Sequence, residues 1–142
     1  MILITDKDTL TVGIQALLLE HDIRPTAQRM EIASALLCRP QHLSADQVMA
    51  RVNKNSAMVS KATVYNTLNL FAEKGIVREV IIESGKVFYD SNTDIHHHLY
   101  NEDTGMLLDV AATEMTIKNM PDLPEGTVQS GVDVIIRVRN KA

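Results

Sequence analysis

Ser60-Lys61-Ala62-Thr63-Val64-Tyr65-Asn66-Thr67-Leu68-Asn69-Leu70-Phe71-Ala72-Glu73-Lys74-Gly75 is the stretch that decides the fold. Val64, Leu68, Phe71 and Ala72 recur at helical spacing and form one apolar stripe. Ser60 stands where an N-cap belongs, and Gly75 where a left-handed C-terminal cap belongs. Lys61, Thr63, Tyr65, Asn66 and Asn69 lie off the stripe, so the polar face offers a cation, hydroxyls and amides. After Gly75, Val77–Ile82 and Val87–Tyr89 are strand-like runs around the turn Glu83-Ser84-Gly85-Lys86.

Upstream, residues 9–21 place Leu10, Ile14, Leu17 and Leu18 at helical spacing. Arg24-Pro25-Thr26 then opens a second helix, with Met30, Ile32, Ala33, Leu36 and Leu37 as its apolar face and Pro40 beyond its end. A third helix starts with Ser44 and Gln47 in capping-box spacing and buries Val48, Met49 and Val52. Asn53-Lys54-Asn55-Ser56 breaks it. Short helices followed by a hairpin make a winged helix-turn-helix, expected over residues 1–89. In such modules the recognition helix lays its N-terminal residues in the major groove, here Lys61, Thr63, Tyr65 and Asn66. Asn can pair adenine bidentately, and Thr methyls and Tyr rings pack on thymine methyls. Arg24, Arg29 and Lys86 at the wing tip are candidates for phosphate contacts. The alternative for each is a solvated polar face.

The second half, residues 90–142, reads as a small α/β dimerisation unit, which makes the chain α+β. Strands are predicted at His98–Tyr100 and Met106–Val110, joined by Asn101-Glu102-Asp103-Thr104-Gly105. A short helix follows over 111–119, then a loop with Pro121, Pro124 and Gly126, then a strand at Val132–Val138. So little core requires a partner surface, and self-association supplies one.

The net charge of -4 is an average over unlike parts. Residues 24–86 hold nine Lys/Arg against five Asp/Glu, whereas residues 87–142 hold four against nine. A basic block before an acidic one suits a polyanion-binding module joined to a cation-binding or interaction module. Apolar residues make up 45%, enough for a core, and the seven methionines against 4% aromatics make it aliphatic and adaptable. The one cysteine, Cys38, excludes an internal disulfide and a Cys-rich zinc site. No run approaches the roughly 20 apolar residues of a membrane span, and Met1–Leu10 lacks the plan of a secretory leader. The expectation is a cytoplasmic protein with no membrane partner.

His42 precedes the third helix, and His96-His97-His98 leads into a strand. Alternate strand residues share a face, so His96 and His98 point one way and His97 the other. Asp90 ends the wing, and Asp109 lies on the strand that pairs with the histidines. Three imidazoles and two carboxylates without a thiolate suit Fe(II) or Mn(II), with Zn(II) as competitor. A three-histidine run is equally a feature of exposed loops, and only folding can bring Asp109, Asp90 and His42 to it.

Arg24-Pro25-Thr26-x-x-Arg29, Gln41-His42-Leu43-Ser44-Ala45-Asp46, Ala62-Thr63-Val64-Tyr65-Asn66-Thr67-Leu68, Gly75-Ile76-Val77 and His96-His97-His98…Asp103-Thr104-Gly105 occur in this order. Together they resemble the ferric uptake regulator family of bacterial metal-dependent repressors, from about Arg24 to Val110. The resemblance implies an N-terminal winged helix binding double-stranded operator DNA, a C-terminal domain forming a homodimer, and one regulatory metal per subunit. The family's regulatory ligands fall on His42, Asp90, His96, His98 and Asp109. Aspartate at both carboxylate positions is similar to the peroxide-sensing branch, where Fe(II) reacts with hydrogen peroxide and a ligating histidine is oxidised. By position those histidines are His42 and His96. The sequence departs from the family in two places. Asn101 and Thr104 occupy the first Cys pair's positions and the second pair has no counterpart, so no structural zinc held by four cysteines is expected. Asn66 stands where many members have Arg, which alters the expected operator preference.

Three other readings remain open on sequence alone. One is a family member answering iron or haem; another is a non-haem iron enzyme built on two histidines and a carboxylate. The third is an interaction module with inert histidines. A regulator without enzymatic turnover is the expectation, because the sequence suggests no substrate pocket.

Overall fold

The computed structural model describes residues 7–55 and 59–142, and the chain divides into two units, Met1–Thr93 and Asp94–Ala142. Ser56 and the start of the stretch read for a leader lie outside the described residues.

Helix α1 spans Lys7–Glu20 and buries Ile14 and Leu18, the inner edge of the predicted stripe. Helix α2, Ala27–Leu37, is capped by Thr26, whose hydroxyl accepts the Arg29 N–H at 3.3 Å. Pro25 therefore precedes the helix rather than lying inside its first turn. Strand β1, His42–Ser44, was not foreseen, since three residues are too few to show an alternation. Helix α3, Ala45–Val52, begins with the expected capping box, Ser44 accepting the Gln47 N–H and the Gln47 side chain accepting the Ser44 N–H. Helix α4, Lys61–Glu73, is capped by Ser60 and buries Val64, Leu68 and Phe71. Gly75 follows at φ +79°, a conformation that costs glycine nothing and lets the Ile76 N–H bond the Phe71 carbonyl at 2.9 Å.

Strands β2 (Arg78–Glu83) and β3 (Lys86–Asp90) form the wing, turning through Ser84-Gly85. The sheet order is β1-β3-β2, all antiparallel. Asp90 pairs in register with both His42 and Arg78, and Ser91 N–H bonds the Gln41 carbonyl, so Asp90 lies in the first unit. One apolar cluster unites α1 to α4 with Leu43 and Tyr89. Each fully buried Leu, Ile or Phe in it contributes about 1.5–3 kcal/mol relative to exposure.

In the second unit β4 (His96–Asn101) is central, antiparallel to β5 (Leu107–Ala111) and parallel to β6 (Ile135–Val138). The helix expected over 111–119 does not form; only a 3-10 turn, Ala112–Glu114, is present. Its N-cap residue, Ala111, makes no side-chain capping bond, Thr116 and Ile117 are β-branched, and Asn119 adopts φ 59°. The Asn101–Gly105 turn is tied by side chains. Asn101 Oδ1 accepts the N–H groups of Asp103 and Thr104, its amide donates to Asn140 at 2.9 Å, and Asn140 N–H donates to Asp103 at 2.8 Å. Among the described residues of this unit, Tyr100 and Leu107 are the buried apolar side chains, alongside buried His96, His97 and His98.

Candidate metal centre and nucleic-acid interface

Each unit holds part of the predicted ligand set. In the first, β1 and β3 set His42 directly opposite Asp90. Asp90 is buried and accepts the Asn92 N–H at 2.9 Å, and the His42 ring meets Phe88 edge-on at 5.9 Å. A reciprocal clamp lies beside this pair, Gln41 N–H to Ser91 Oγ at 3.0 Å and Ser91 N–H to Gln41 O at 2.9 Å. The Gln41 amide also donates to the Ala35 and Leu36 carbonyls at 3.0 Å, and its oxygen accepts from Arg51 at 2.8 Å. Backbone pairing thus sets the two ligand positions, and Gln41 fastens them to α2 and α3. None of this clamp carried a sequence signal, because its partners lie up to 50 residues apart.

In the second unit, β4 and β5 pair His98 with Asp109. Asp109 Oδ1 lies 3.4 Å from His98 Nε2 and 3.7 Å from His96 Nε2, and the two rings are 4.6 Å apart between centroids. His97 turns to the other face, where its Nδ1 accepts the Val134 N–H at 3.3 Å. The expected alternation and the return of Asp109 toward the histidines are both present. His96 Nδ1 lies 2.7 Å from the Asp94 carbonyl, which can only accept, so that nitrogen carries the proton. A neutral His96 then turns the lone pair of Nε2 toward a carboxylate oxygen. That contact is repulsive unless the ring is protonated or a cation lies between the atoms. Two buried imidazoles, an orienting carbonyl behind one of them and a half-exposed carboxylate fit a divalent ion.

Residues 20–123 match the sequence model of the ferric uptake regulator family. The chain belongs to that family. A peroxide-responsive repressor PerR of Staphylococcus aureus (strain Mu50) is 33% identical over 94 residues, 66% of this chain and 64% of the relative's length. The match therefore spans just under two thirds of that relative. The ferric uptake regulator of Pseudomonas aeruginosa, solved with manganese, superimposes with a TM-score of 0.69 at 22% identity, over 91% of this chain and 98% of the other. A zinc uptake regulator complexed with zinc and DNA gives 0.58 at 15% identity, over 98% and 94%. These likenesses show the α+β fold with its N-terminal winged helix. Members of that family are regulators rather than enzymes.

The polar face of α4 is as predicted in outline. Tyr65 and Asn66 are exposed and Lys61 lies over the Tyr65 ring at 5.8 Å. Thr63 is half-buried, its hydroxyl accepting from Ser60 at 2.9 Å. Arg29 donates to the Arg24 carbonyl at 3.0 Å, at the rim of a cleft of about 270 Å³ between α2 and α4 lined also by Thr26, Thr63 and Asn66. Two cations have neighbours that the sequence did not indicate: Lys86 pairs with Glu83 at 3.0 Å, and Lys61 lies 3.8 Å from Asp46. Both pairs are at least half exposed and hold little energy against a phosphate. Asn69 differs most from expectation, because its carbonyl accepts the Tyr89 hydroxyl at 2.8 Å. Burial, with Glu79 and Tyr65 adding, raises the pKa of that hydroxyl above its ordinary 10.0.

Proposed function

We propose that this chain is a homodimeric, metal-dependent transcriptional repressor that binds operator DNA and senses hydrogen peroxide. The observation that carries the metal reading is Asp109 facing both His96 and His98, with the His96 ring oriented by Asp94. His42 and Asp90 complete the proposed ligand set, which takes one Fe(II) or Mn(II) per subunit, with Zn(II) as substitute. Ligands drawn from both units make metal binding and the arrangement of the units one linked equilibrium, so metal and DNA raise each other's affinity. Bound Fe(II) would supply reduction of peroxide, with one oxygen atom passing to a ligating histidine. His42 and His96 are the proposed acceptors. An oxidised imidazole is a poorer donor, so the ligand set fails and DNA is released.

DNA contact is assigned to Arg24, Arg29, Lys61, Thr63, Tyr65, Asn66 and Lys86, the cations holding phosphates and α4 reading bases. The dimer reading rests on the second sheet. Register puts Leu99, Leu108 and Ile136 in one row, with Leu108 50% and Ile136 38% exposed. Such a face on a unit with few buried apolar groups is suited to a second copy. No helix among the described residues is long and apolar enough to cross a membrane; the proposed DNA-binding role supports the expected cytoplasmic localisation.

The test is operator binding with Mn(II), with chelator, and with Fe(II) followed by peroxide, alongside peptide mass spectrometry. Binding with Mn(II), loss with chelator, and a gain of one oxygen on His42 or His96 after peroxide support the reading. Indifference to all three treatments overturns it.

A further inference from the structure

Asn69 lies one turn beyond Tyr65 and Asn66 on α4 and shares their exposed face. Its Oδ1 is taken by the Tyr89 hydroxyl at 2.8 Å, and Tyr89 is itself buried in the core. Its Nδ2 makes no hydrogen bond to another described residue. Tyr89 stands on β3, one register pair from His42 and Asp90, so a rigid core side chain fixes an amide on the recognition helix. An asparagine free to turn offers both a donor and an acceptor and can pair adenine through two bonds. With Tyr89 on one of the two lone pairs of its carbonyl, the Asn69 amide is held in one orientation and presents its Nδ2 donors there.

We infer that Asn69, held in place by Tyr89, is a specificity-determining contact whose amide donates to a hydrogen-bond acceptor on DNA. The inference rests on the DNA-binding reading above. The acceptor chemistry is shared by a phosphate oxygen and by the base-edge acceptors of the major groove, such as purine N7. Tyr89 acts through Asn69 and is a positioning residue.

The experiment uses the full chain loaded with Mn(II) and a randomised duplex library selected by the unaltered protein. Affinity for the enriched duplex is then measured for Asn69→Ala, Asn69→Asp and Tyr89→Phe. Loss of one hydrogen bond predicts about a fivefold drop for Asn69→Ala. Asn69→Asp, which sets a carboxylate against an acceptor, drops further. Tyr89→Phe frees the amide to turn, so the base preference at the contacted position broadens in reselection, a readout that simple loss of stability would not produce. Single methylphosphonates and 7-deazapurines placed along the duplex separate the two sources: the one that weakens the unaltered protein but not Asn69→Ala identifies the acceptor. Equal affinity and identical interference maps for the unaltered protein and Asn69→Ala overturn the inference while leaving DNA binding intact. Failure to enrich any duplex overturns DNA binding itself, and this inference with it.

Discussion

The two units of this chain are built on different resources. The first gathers Ile14, Leu18, Ile32, Leu36, Leu68 and Phe71 into one apolar core and caps three of its helices with Thr26, Ser44 and Ser60. The second buries Tyr100, Leu107 and three histidines, and leaves Leu108 and Ile136 partly in water. A core of the first kind carries its own folding free energy. One of the second kind draws on an external partner, which under the proposed function is an ion and a second copy. On that reading stability and responsiveness are separated: the proposed DNA-reading head holds its own core, and the unit proposed to condition it has few buried apolar groups.

That contrast can be broken most forcefully at Phe71. Phe71→Ala should cost about 3–5 kcal/mol of the first unit's stability in urea denaturation, whereas Leu108→Asp should leave that transition in place and dissociate the dimer in sedimentation. A next effect belongs to the second unit. Mn(II) at a hundredfold excess over its Kd should add about 2.7 kcal/mol, seen as slower amide exchange in β4, and His98→Ala should abolish the gain. Smaller still, Ser44→Ala should cost about 1 kcal/mol by removing the α3 cap, with no change in Mn(II) affinity. The smallest effect concerns pH. The raised pKa of Tyr89 means the folded state holds that proton more tightly. The associated stability is present below about pH 10 and is lost as pH rises through the folded value. Tyr89→Phe should flatten this alkaline loss in melting curves, and an unchanged slope would remove Tyr89 as its source.

The same division governs what could be read in advance. Helix faces, caps and the Gly75 terminus obey local rules, so α2, α3, α4 and the wing were legible from spacing and capping residues. The shared face of His96 and His98 and the pairing of their strand with that of Asp109 were legible too, because a hairpin is local; the closeness of Asp109 to the two rings came only with the fold. The clamp of Gln41 with Ser91, the opposition of His42 to Asp90 and the Tyr89–Asn69 bond depend on tertiary placement over 20 to 50 residues. No local pattern records such pairs. The helix expected after Ala111 fails for a local reason, its β-branched residues and absent cap outweighing the expectation.

Under the proposed function, the histidine and aspartate set conditions the DNA-reading head. Operator affinity of the unaltered protein and of His98→Ala, each measured with Mn(II) and with chelator, tests it most directly. Mn(II) should strengthen binding by about five- to 150-fold in the unaltered protein and have no effect in His98→Ala. Equal affinities with Mn(II) and chelator in the unaltered protein, or a full Mn(II) response in His98→Ala, would contradict it.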